Sequence, residues 1–198
     1  AMHIARKGGK IAVFSREMSR VQLGKRMVAH EGLVDGQRIR TGKLKDGDWD
    51  KIIEASAEIS KWHMWIDDKS AAVAEIRATC RELKQKHGLD VIIIDYLQLL
   101  TPNNNSNNRE REVAEMSRGI KVLALELDMP IILLSQLNRS VANKRPTLDT
   151  LRESGAIEQD ADNVMFLHKP DFADTMEHDL ELRKVIEQEG KVYMEIIL

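Results

Sequence analysis

The segment Val91-Ile92-Ile93-Ile94-Asp95 contains four consecutive β-branched apolar residues followed by an aspartate. A short apolar run of this kind is typical of a strand that is buried on both faces of a sheet. Similar runs lie on both sides of it, with longer helix-like stretches between them, at residues 11–14, 64–66, 131–134, 163–167 and 192–197. Short strands that alternate with helices predict an α/β domain with a mostly parallel central sheet and helices on both faces.

Start and stop signals outline the helices between these runs. Asp48 can cap a helix that continues to about residue 60, and Ser70 can cap another that reaches residue 86. Gly88 is a suitable helix stop just before the run at 91–94. From Arg109 to residue 127 the apolar positions follow helical spacing, and Pro130 marks the entry to the next strand. A long amphipathic helix is therefore predicted between the third and fourth strands.

The composition is that of a soluble globular protein, with 198 residues, 42% of them apolar and 31% charged. The formal net charge of −2 argues against a uniformly basic surface, so DNA contacts must come from local loops or from one face of an assembly. A single cysteine, Cys80, permits no intramolecular disulfide and no cysteine zinc cluster. The six histidines have no His or Cys partner at metal-ligand spacing, so no zinc site is expected. Since no apolar run approaches the ~20 residues of a membrane span, we expect a cytoplasmic protein without membrane contact.

The three tryptophans, Trp49, Trp62 and Trp65, are candidates for a platform on which bases could stack. Their positions in helix-like and strand-like stretches favour packing in the core or at an interface instead. We therefore expect no DNA contact from them.

In a parallel sheet, ligands bind beyond the carboxyl ends of the strands, so the polar residue after each apolar run is a candidate site residue. Asp95 follows the run 91–94 in the pattern of a Walker B element, whose carboxylate holds Mg²⁺ on a nucleotide, usually through water. The alternative is an aspartate that caps a turn at the end of a strand. The next residue is Tyr96, so this strand does not provide an adjacent glutamate to polarise the attacking water.

Glu17 lies just beyond the run at 11–14, where it could orient water toward a γ-phosphate as the catalytic base. The alternative is a glutamate in the first turn of a helix, stabilised by the helix dipole. Gln136, just beyond the run at 131–134, could hydrogen-bond a γ-phosphate or its water and pass the nucleotide state on to a DNA loop. Without further context, a glutamine that only faces solvent is the alternative.

Residues 151–162 are too polar for a core strand and precede the run at 163–167. Gly155 would let backbone N–H groups approach an anion closely, and Arg152 could add a side-chain fork. Together they could hold a phosphate of the DNA backbone. The alternative is an ordinary helix start with a pair formed by Arg152 and Glu153.

Five motifs in this order resemble the motor domain of DnaB-type replicative helicases, over nearly the whole chain. Residues 144–146, Lys-Arg-Pro, fit the same pattern. The motifs are Phe14-Ser15-Arg16-Glu17-Met18-Ser19, Ile39-Arg40-Thr41-Gly42, Ile94-Asp95-Tyr96-Leu97-Gln98-Leu99, Ser135-Gln136-Leu137-Asn138-Arg139 and residues 151–162. The resemblance implies a single RecA-like, three-layer domain over residues 1–198.

The same resemblance implies a function. In this family a hexameric ring uses ATP and Mg²⁺, bound between neighbouring subunits, to translocate 5′→3′ on single-stranded DNA and to unwind duplex DNA at the fork. Matched by motif, Glu17 is similar to the catalytic glutamate, Asp95 to the Walker B ligand and Gln136 to the γ-phosphate sensor. Arg152, Glu153 and Gly155 match the channel loop that holds the DNA backbone. Such a loop would bind with little sequence preference and more weakly at high salt.

The sequence also departs from the family pattern. It contains no Gly-x-x-x-x-Gly-Lys-Thr/Ser loop, although Ala1-Met2-His3-Ile4-Ala5 is similar to the helix that would follow it. The family has further residues between Ala5 and Ile11 and between Val141 and Ala142, a basic finger beyond Leu198, and an N-terminal helical domain. We interpret the sequence as the ordered residues of a longer chain, in which those other parts would contact primase and a helicase loader. A molecule with this sequence alone is not expected to hydrolyse ATP.

Two other functions remain open from the sequence. A RecA-like recombinase shares the core sheet but forms filaments, and its characteristic motifs are not seen. A binding or oligomerisation module that does not hydrolyse nucleotide is favoured only if the phosphate loop is truly absent. The owner could be a bacterium, with the protein in the cytoplasm and nucleoid, or a phage, with the protein in the host cytoplasm.

Overall fold

The computed structural model describes residues 1–102, 108–137, 146–148, 155–168 and 195–197. The chain divides into two compact units, one of residues 1–107 and 119–136 and the other of residues 108–118 and 137–198. Each unit is described by itself. The prediction of one domain over residues 1–198 remains a prediction.

The first unit is built on a parallel sheet of four strands, in the order β2-β1-β3-β4. The strands are β1 (Ile11–Ser15), β2 (Met64–Asp67), β3 (Val91–Asp95) and β4 (Ile131–Leu133). All three neighbouring pairs run parallel, and the register pairs Ser15 with Asp95 and Ile94 with Leu133. The first four predicted strands are therefore confirmed to within one residue at their ends.

Helices connect these strands and cover the sheet. They are α1 (Met2–Arg6), α2 (Arg20–Glu31), α3 (Gly36–Thr41), α4 (Asp48–Ile59), α5 (Val73–His87) and α6 (Arg109–Leu127). A one-turn 3-10 helix (Leu97–Leu99) follows β3. The long helix predicted from Arg109 is confirmed, and Pro130 directly precedes β4 as expected.

The core of this unit lies on the strands of the sheet. Successive residues Ile11 and Ala12 of β1 are both buried, as are Val91 and Ile92 of β3, although neighbours on a strand face opposite sides. Ile11 and Val91 belong to an apolar cluster with Ala5 of α1. Burial on both faces is the reason that the strands read as continuous apolar runs.

The predicted helix caps are partly wrong. Asp48 is the first residue of α4 and the cap position is Gly47, at φ 82°. The Asp48 carboxylate accepts hydrogen bonds from the backbone N–H of Lys45 and from Arg38, both at 2.8 Å. Two partners outside the helix therefore take the carboxylate that was predicted to cap it.

Ser70 is also not a cap, since the cap position of α5 is Ala72. The Ser70 hydroxyl donates to Asp67 at 2.6 Å. Instead, the Glu75 side chain accepts the backbone N–H groups of Ala71 and Ala72, at 2.7 and 3.1 Å. The start of α5 is therefore stabilised by a residue inside the helix.

The other end of α5 agrees with the prediction. Gly88 directly follows His87, the last helical residue, and has φ 74°. This left-handed conformation is one that glycine adopts without steric cost. Gly88 is thus confirmed as the helix stop.

The tryptophans occupy three different environments. Trp62 is buried in the core, as predicted, and Trp65 is half-buried with its ring stacked against those of His63 and His87. Trp49 is 64% exposed, so core packing is wrong for this residue. It lies on α4, an amphipathic helix of which only one side faces the unit.

Cys80 is a packed helix residue, as expected, and burial raises the pKa of its thiol to about 12. A thiol with so high a pKa carries almost no thiolate at neutral pH and is chemically inert. Among the described residues, no helix has both the length and the apolar character needed to cross a bilayer.

The second unit contains α7 (Gly155–Asp160), β5 (Phe166–His168) and β6 (Glu195–Ile197). The two strands pair antiparallel, with Phe166 opposite Ile197. Asp160, at the end of α7, accepts hydrogen bonds from Ser117 at 2.9 Å and Arg118 at 3.0 Å. The last two predicted strands thus exist in part, and they form an antiparallel pair of their own.

The ion pair between Arg38 of α3 and Asp48 of α4 is expected to stabilise the first unit. Asp48 is only 4% exposed, so Arg38→Ala would leave a buried carboxylate without its charged partner. Because Arg38 itself is partly exposed, we expect a loss of about 2 kcal/mol, which lowers the urea midpoint by about 1 M at unchanged slope. Glu58→Gln, which breaks an exposed pair with Lys61, is the control and should leave the midpoint unchanged. Equal midpoints for Arg38→Ala and the wild type would contradict the prediction.

Candidate active site

The carboxyl ends of β1 and β3 bring two of the predicted site residues together. Ser15 and Asp95 are register partners, and the backbone N–H of Arg16 donates to the carbonyl of Asp95 at 2.9 Å. Glu17 is the next residue of the chain, so it lies near Asp95 although the two are far apart in the sequence. These two carboxylates form the centre of the candidate site.

Electrostatics supports the proximity of these two side chains. Burial raises the pKa of Asp95 above its ordinary value, and the negative charge of Glu17 raises it further, while Arg26 of α2 acts in the opposite direction. A like charge has this effect only over a short distance. In the described part of the chain, the Asp95 carboxylate accepts no hydrogen bond of the kind that a turn cap makes. Asp95 therefore ends its strand as an available acceptor.

Local hydrogen bonds place Glu17 between the strand and the helix that follows it. The buried Ser15 hydroxyl accepts the backbone N–H of Met18 at 3.2 Å, which turns the chain out of β1. Ser19 then caps α2 in a reciprocal capping box with Gln22. Because α2 begins after Ser19, Glu17 lies outside the first helical turn. The alternative of a glutamate in the first turn of the helix is excluded.

The loop after β2 braces this segment from the side. The Arg16 guanidinium donates to the backbone carbonyls of Asp68 and Lys69, at 2.9 and 3.0 Å. The Asp68 carboxylate accepts the backbone N–H of Arg20 at 2.9 Å. Glu17 thus lies between two residues that are both tied to the same loop. Sequence reasoning missed Arg16 and Asp68, because no spacing rule connects residues 52 positions apart.

Gln136 lies beyond the end of β4. The backbone N–H of Leu134 donates to the carbonyl of Ile94 at 3.0 Å, and the N–H of Leu97 donates to the carbonyl of Leu134 at 3.0 Å. These bonds hold the chain after β4 against the chain after β3. The Gln136 side chain is exposed, so it is available to a ligand.

The backbone of Gln136 is held by Gln98, a residue to which sequence reasoning gave no role. The Gln98 amide nitrogen donates to the Ser135 hydroxyl at 2.9 Å and to the Gln136 carbonyl at 3.3 Å. Its amide oxygen accepts the Gln136 N–H at 3.2 Å. The position of Gln98 within the motif 94–99 was the only signal available in the sequence.

The predicted DNA-binding residues are described only in part. Arg152 and Glu153 lie outside the described residues. Gly155 is the first residue of α7 in the second unit, and a Cβ placed on it would meet no atom within 4 Å. Gly155 thus starts a helix, as the alternative interpretation held, and its predicted DNA contact remains a prediction.

The described residues contain no group of three or more His, Cys, Asp or Glu side chains that could hold a metal ion. Asp95 and Glu17 nevertheless offer the hard carboxylate oxygens that Mg²⁺ prefers. Their mutual repulsion would be relieved by a cation. This arrangement fits an ion whose remaining ligands are water and phosphate.

Comparison with known proteins identifies the family. The model of the DnaB-like helicase C-terminal domain matches residues 1–197. The chain belongs to this family. Replicative DNA helicase DnaB of Geobacillus stearothermophilus is 47% identical over 193 residues, and replicative DNA helicase DnaC of Bacillus subtilis (strain 168) is 45% identical over 193. These alignments cover 94% of this chain and 42% of each relative, so the chain spans under half the length of these DnaB-like proteins.

Two solved structures have the same fold as this DnaB-like chain. One is an ATPase domain, which superposes with a TM-score of 0.84 at 35% identity and covers 91% of this chain and 66% of that one. The other is a DnaB-like replicative helicase, studied for its interactions with primase, with a TM-score of 0.81 at 35% identity and coverage of 89% and 45%. The predicted RecA-like α/β fold, with a mostly parallel sheet and helices on its faces, is thereby confirmed.

The raised pKa of Asp95 predicts a pH-dependent effect on stability. Folding favours the protonated form of this group, so its favourable contribution is present below the ordinary pKa of 3.8 and is lost as pH rises through the raised folded pKa. Asp95→Asn should therefore raise the thermal midpoint of the nucleotide-free protein at pH 7. The gain should shrink as pH is lowered toward about 4. The exposed Asp46, changed to Asn, is the control. A gain for Asp95→Asn that is the same at every pH would contradict the predicted linkage.

Proposed function

We propose that this chain is the motor of a replicative DNA helicase. ATP hydrolysis would drive its 5′→3′ translocation on single-stranded DNA and the unwinding of duplex DNA at the replication fork. The observation that carries the proposal is the pairing of Ser15 with Asp95, which brings Glu17 and Asp95 to one edge of the sheet. Family membership supports the same reaction class.

Three residues have separate roles in this proposal. Asp95 would hold the Mg²⁺–ATP complex, through water, and Glu17 would orient the attacking water as catalytic base. Bound Mg²⁺ supplies positive charge that neutralises the phosphate oxygens. Gln136 would contact the γ-phosphate, since its side chain is exposed at the neighbouring strand end. The phosphate-binding lysine and threonine of the family are not among residues 1–198, so hydrolysis requires a form of the protein that contains them.

The DNA contacts would come from Arg152, Glu153 and Gly155, which match the channel loop of the family. A loop that holds phosphates binds without base readout, as translocation along any sequence requires. The proposed assembly is a homo-hexamer with nucleotide between subunits. Primase and a helicase loader would bind through other parts of the protein, and one structural relative was solved for its interactions with primase. The proposed location is the bacterial cytoplasm and nucleoid, or the host cytoplasm for a phage protein.

The proposal is tested by unwinding of forked DNA by the full-length protein. A fork with a free 5′ tail on the encircled strand should be unwound when ATP and Mg²⁺ are present, and a substrate with only a 3′ tail should not. Strand exchange without unwinding would identify a recombinase instead. DNA binding or ring formation with no ATP turnover would identify a module that does not hydrolyse nucleotide.

A further inference from the structure

Gln98 makes an unusual set of contacts for a residue outside the predicted site. It lies three positions after Asp95, in the 3-10 helix that follows β3, and its side-chain amide reaches across to the chain after β4. One amide group bonds both backbone polar groups of Gln136 and the hydroxyl of Ser135. A side chain here performs the pairing that a neighbouring strand would otherwise provide.

This pairing begins where the sheet ends. The last backbone bonds between the two chain segments are those from Leu134 to Ile94 and from Leu97 to Leu134. Beyond them, within the described part of the chain, the backbone N–H and carbonyl of Gln136 have Gln98 as their hydrogen-bonding partner. The direction in which the Gln136 side chain leaves the backbone therefore depends on Gln98.

We propose that Gln98 is a positioning residue that holds Gln136 at a set distance from Asp95. The inference rests on the proposed function, in which Asp95 holds the nucleotide complex and Gln136 contacts its γ-phosphate. Gln98 belongs to the same short segment as Asp95, so it couples the two contacts mechanically. Displacement of a contact by about 1 Å is enough to slow a phosphoryl transfer that depends on positioning.

The chemistry of the contact requires glutamine. The amide both donates and accepts, as the backbone of Gln136 demands. Glutamate has the same length but no donor, so its oxygens would face the Gln136 carbonyl and lose the bonds to it and to Ser135. Gln98→Glu thus changes the contact with little change of volume.

The test uses the full-length protein as a hexamer, with DNA-stimulated ATP turnover measured over a range of ATP concentrations. Gln98→Glu should lower kcat about tenfold with KM changed less than about twofold, and with the thermal midpoint unchanged. In a Gln136→Ala background, Gln98→Glu should cause no further loss, because its effect passes through Gln136. Gln37→Glu, the same exchange in the exposed helix α3, should leave kcat unchanged.

Two results would overturn the inference. One is wild-type kcat in Gln98→Glu, and the other is an equal loss with and without the Gln136 side chain, as a general structural role would produce. Asp95→Asn, measured in parallel, distinguishes failure of the inference from failure of the proposed function. If Asp95→Asn turns over ATP normally, the proposed function fails. If Asp95→Asn is inactive but Gln98→Glu is not impaired, only the role of Gln98 fails.

Discussion

Glu17→Gln and Asp95→Asn should each reduce DNA-stimulated ATP hydrolysis by the full-length hexamer at least about 100-fold. The two changes act on different parts of the reaction. Glu17→Gln removes the base that orients water but retains a side chain of the same size, so ATP binding should persist. Asp95→Asn removes the negative charge that attracts the Mg²⁺–ATP complex, so it should also weaken Mg²⁺-dependent nucleotide binding.

The measurements are steady-state turnover with single-stranded DNA and equilibrium binding of a fluorescent ATP analogue with and without Mg²⁺. Glu54→Gln, an exposed carboxylate on α4, is the control for loss of a surface charge. Undiminished turnover in Glu17→Gln would show that the base is wrongly assigned, despite the position of Glu17 near Asp95. Mg²⁺-independent binding in the wild type would contradict the role of Asp95.

Arg152→Ala should chiefly weaken binding of single-stranded DNA and its stimulation of turnover, while turnover without DNA is retained. Loss of one phosphate contact should reduce the slope of log K against log salt concentration by about 0.7. Because the contact is to the backbone, the affinity should fall by the same factor for homopolymers and mixed sequences. The expected loss at low salt is about tenfold or more, since six subunits would each lose the contact.

Fluorescence titrations at several salt concentrations measure both quantities. Lys61→Ala is the matched control, because it removes an exposed cation whose ammonium contacts Glu58. An unchanged salt slope in Arg152→Ala would exclude a phosphate contact at this position. Loss of DNA-independent turnover would instead assign Arg152 to the ATP site.

Much of the fold could be predicted from local patterns. The four strands of the parallel sheet were predicted closely because residues such as Ile11 and Ile92 must be apolar where helices cover both faces. Gly88 was recognised as a helix stop because its backbone conformation suits a residue without a side chain. Local geometry was sufficient in these cases, and no distant residue had to be known.

The helix starts were predicted less well, because capping is a competition among nearby partners. Ser70 has the right chemistry for a cap, yet its hydroxyl is bonded to Asp67. Asp48 is held by Arg38 and Lys45 instead. A sequence pattern identifies residues that can cap, but only the arrangement of their neighbours shows which bond is made.

Sequence alone was therefore enough for the identity of the strands, their polar ends and the family pattern, because apolar periodicity and motif order are properties of the chain itself. Tertiary structure was needed to place Glu17 near Asp95, since that proximity depends on β1 and β3 being neighbours in the sheet. It was also needed to find Gln98 on the backbone of Gln136, a contact between residues 38 positions apart. Hydrogen bonds across such distances follow from the order of the strands, which no local pattern encodes.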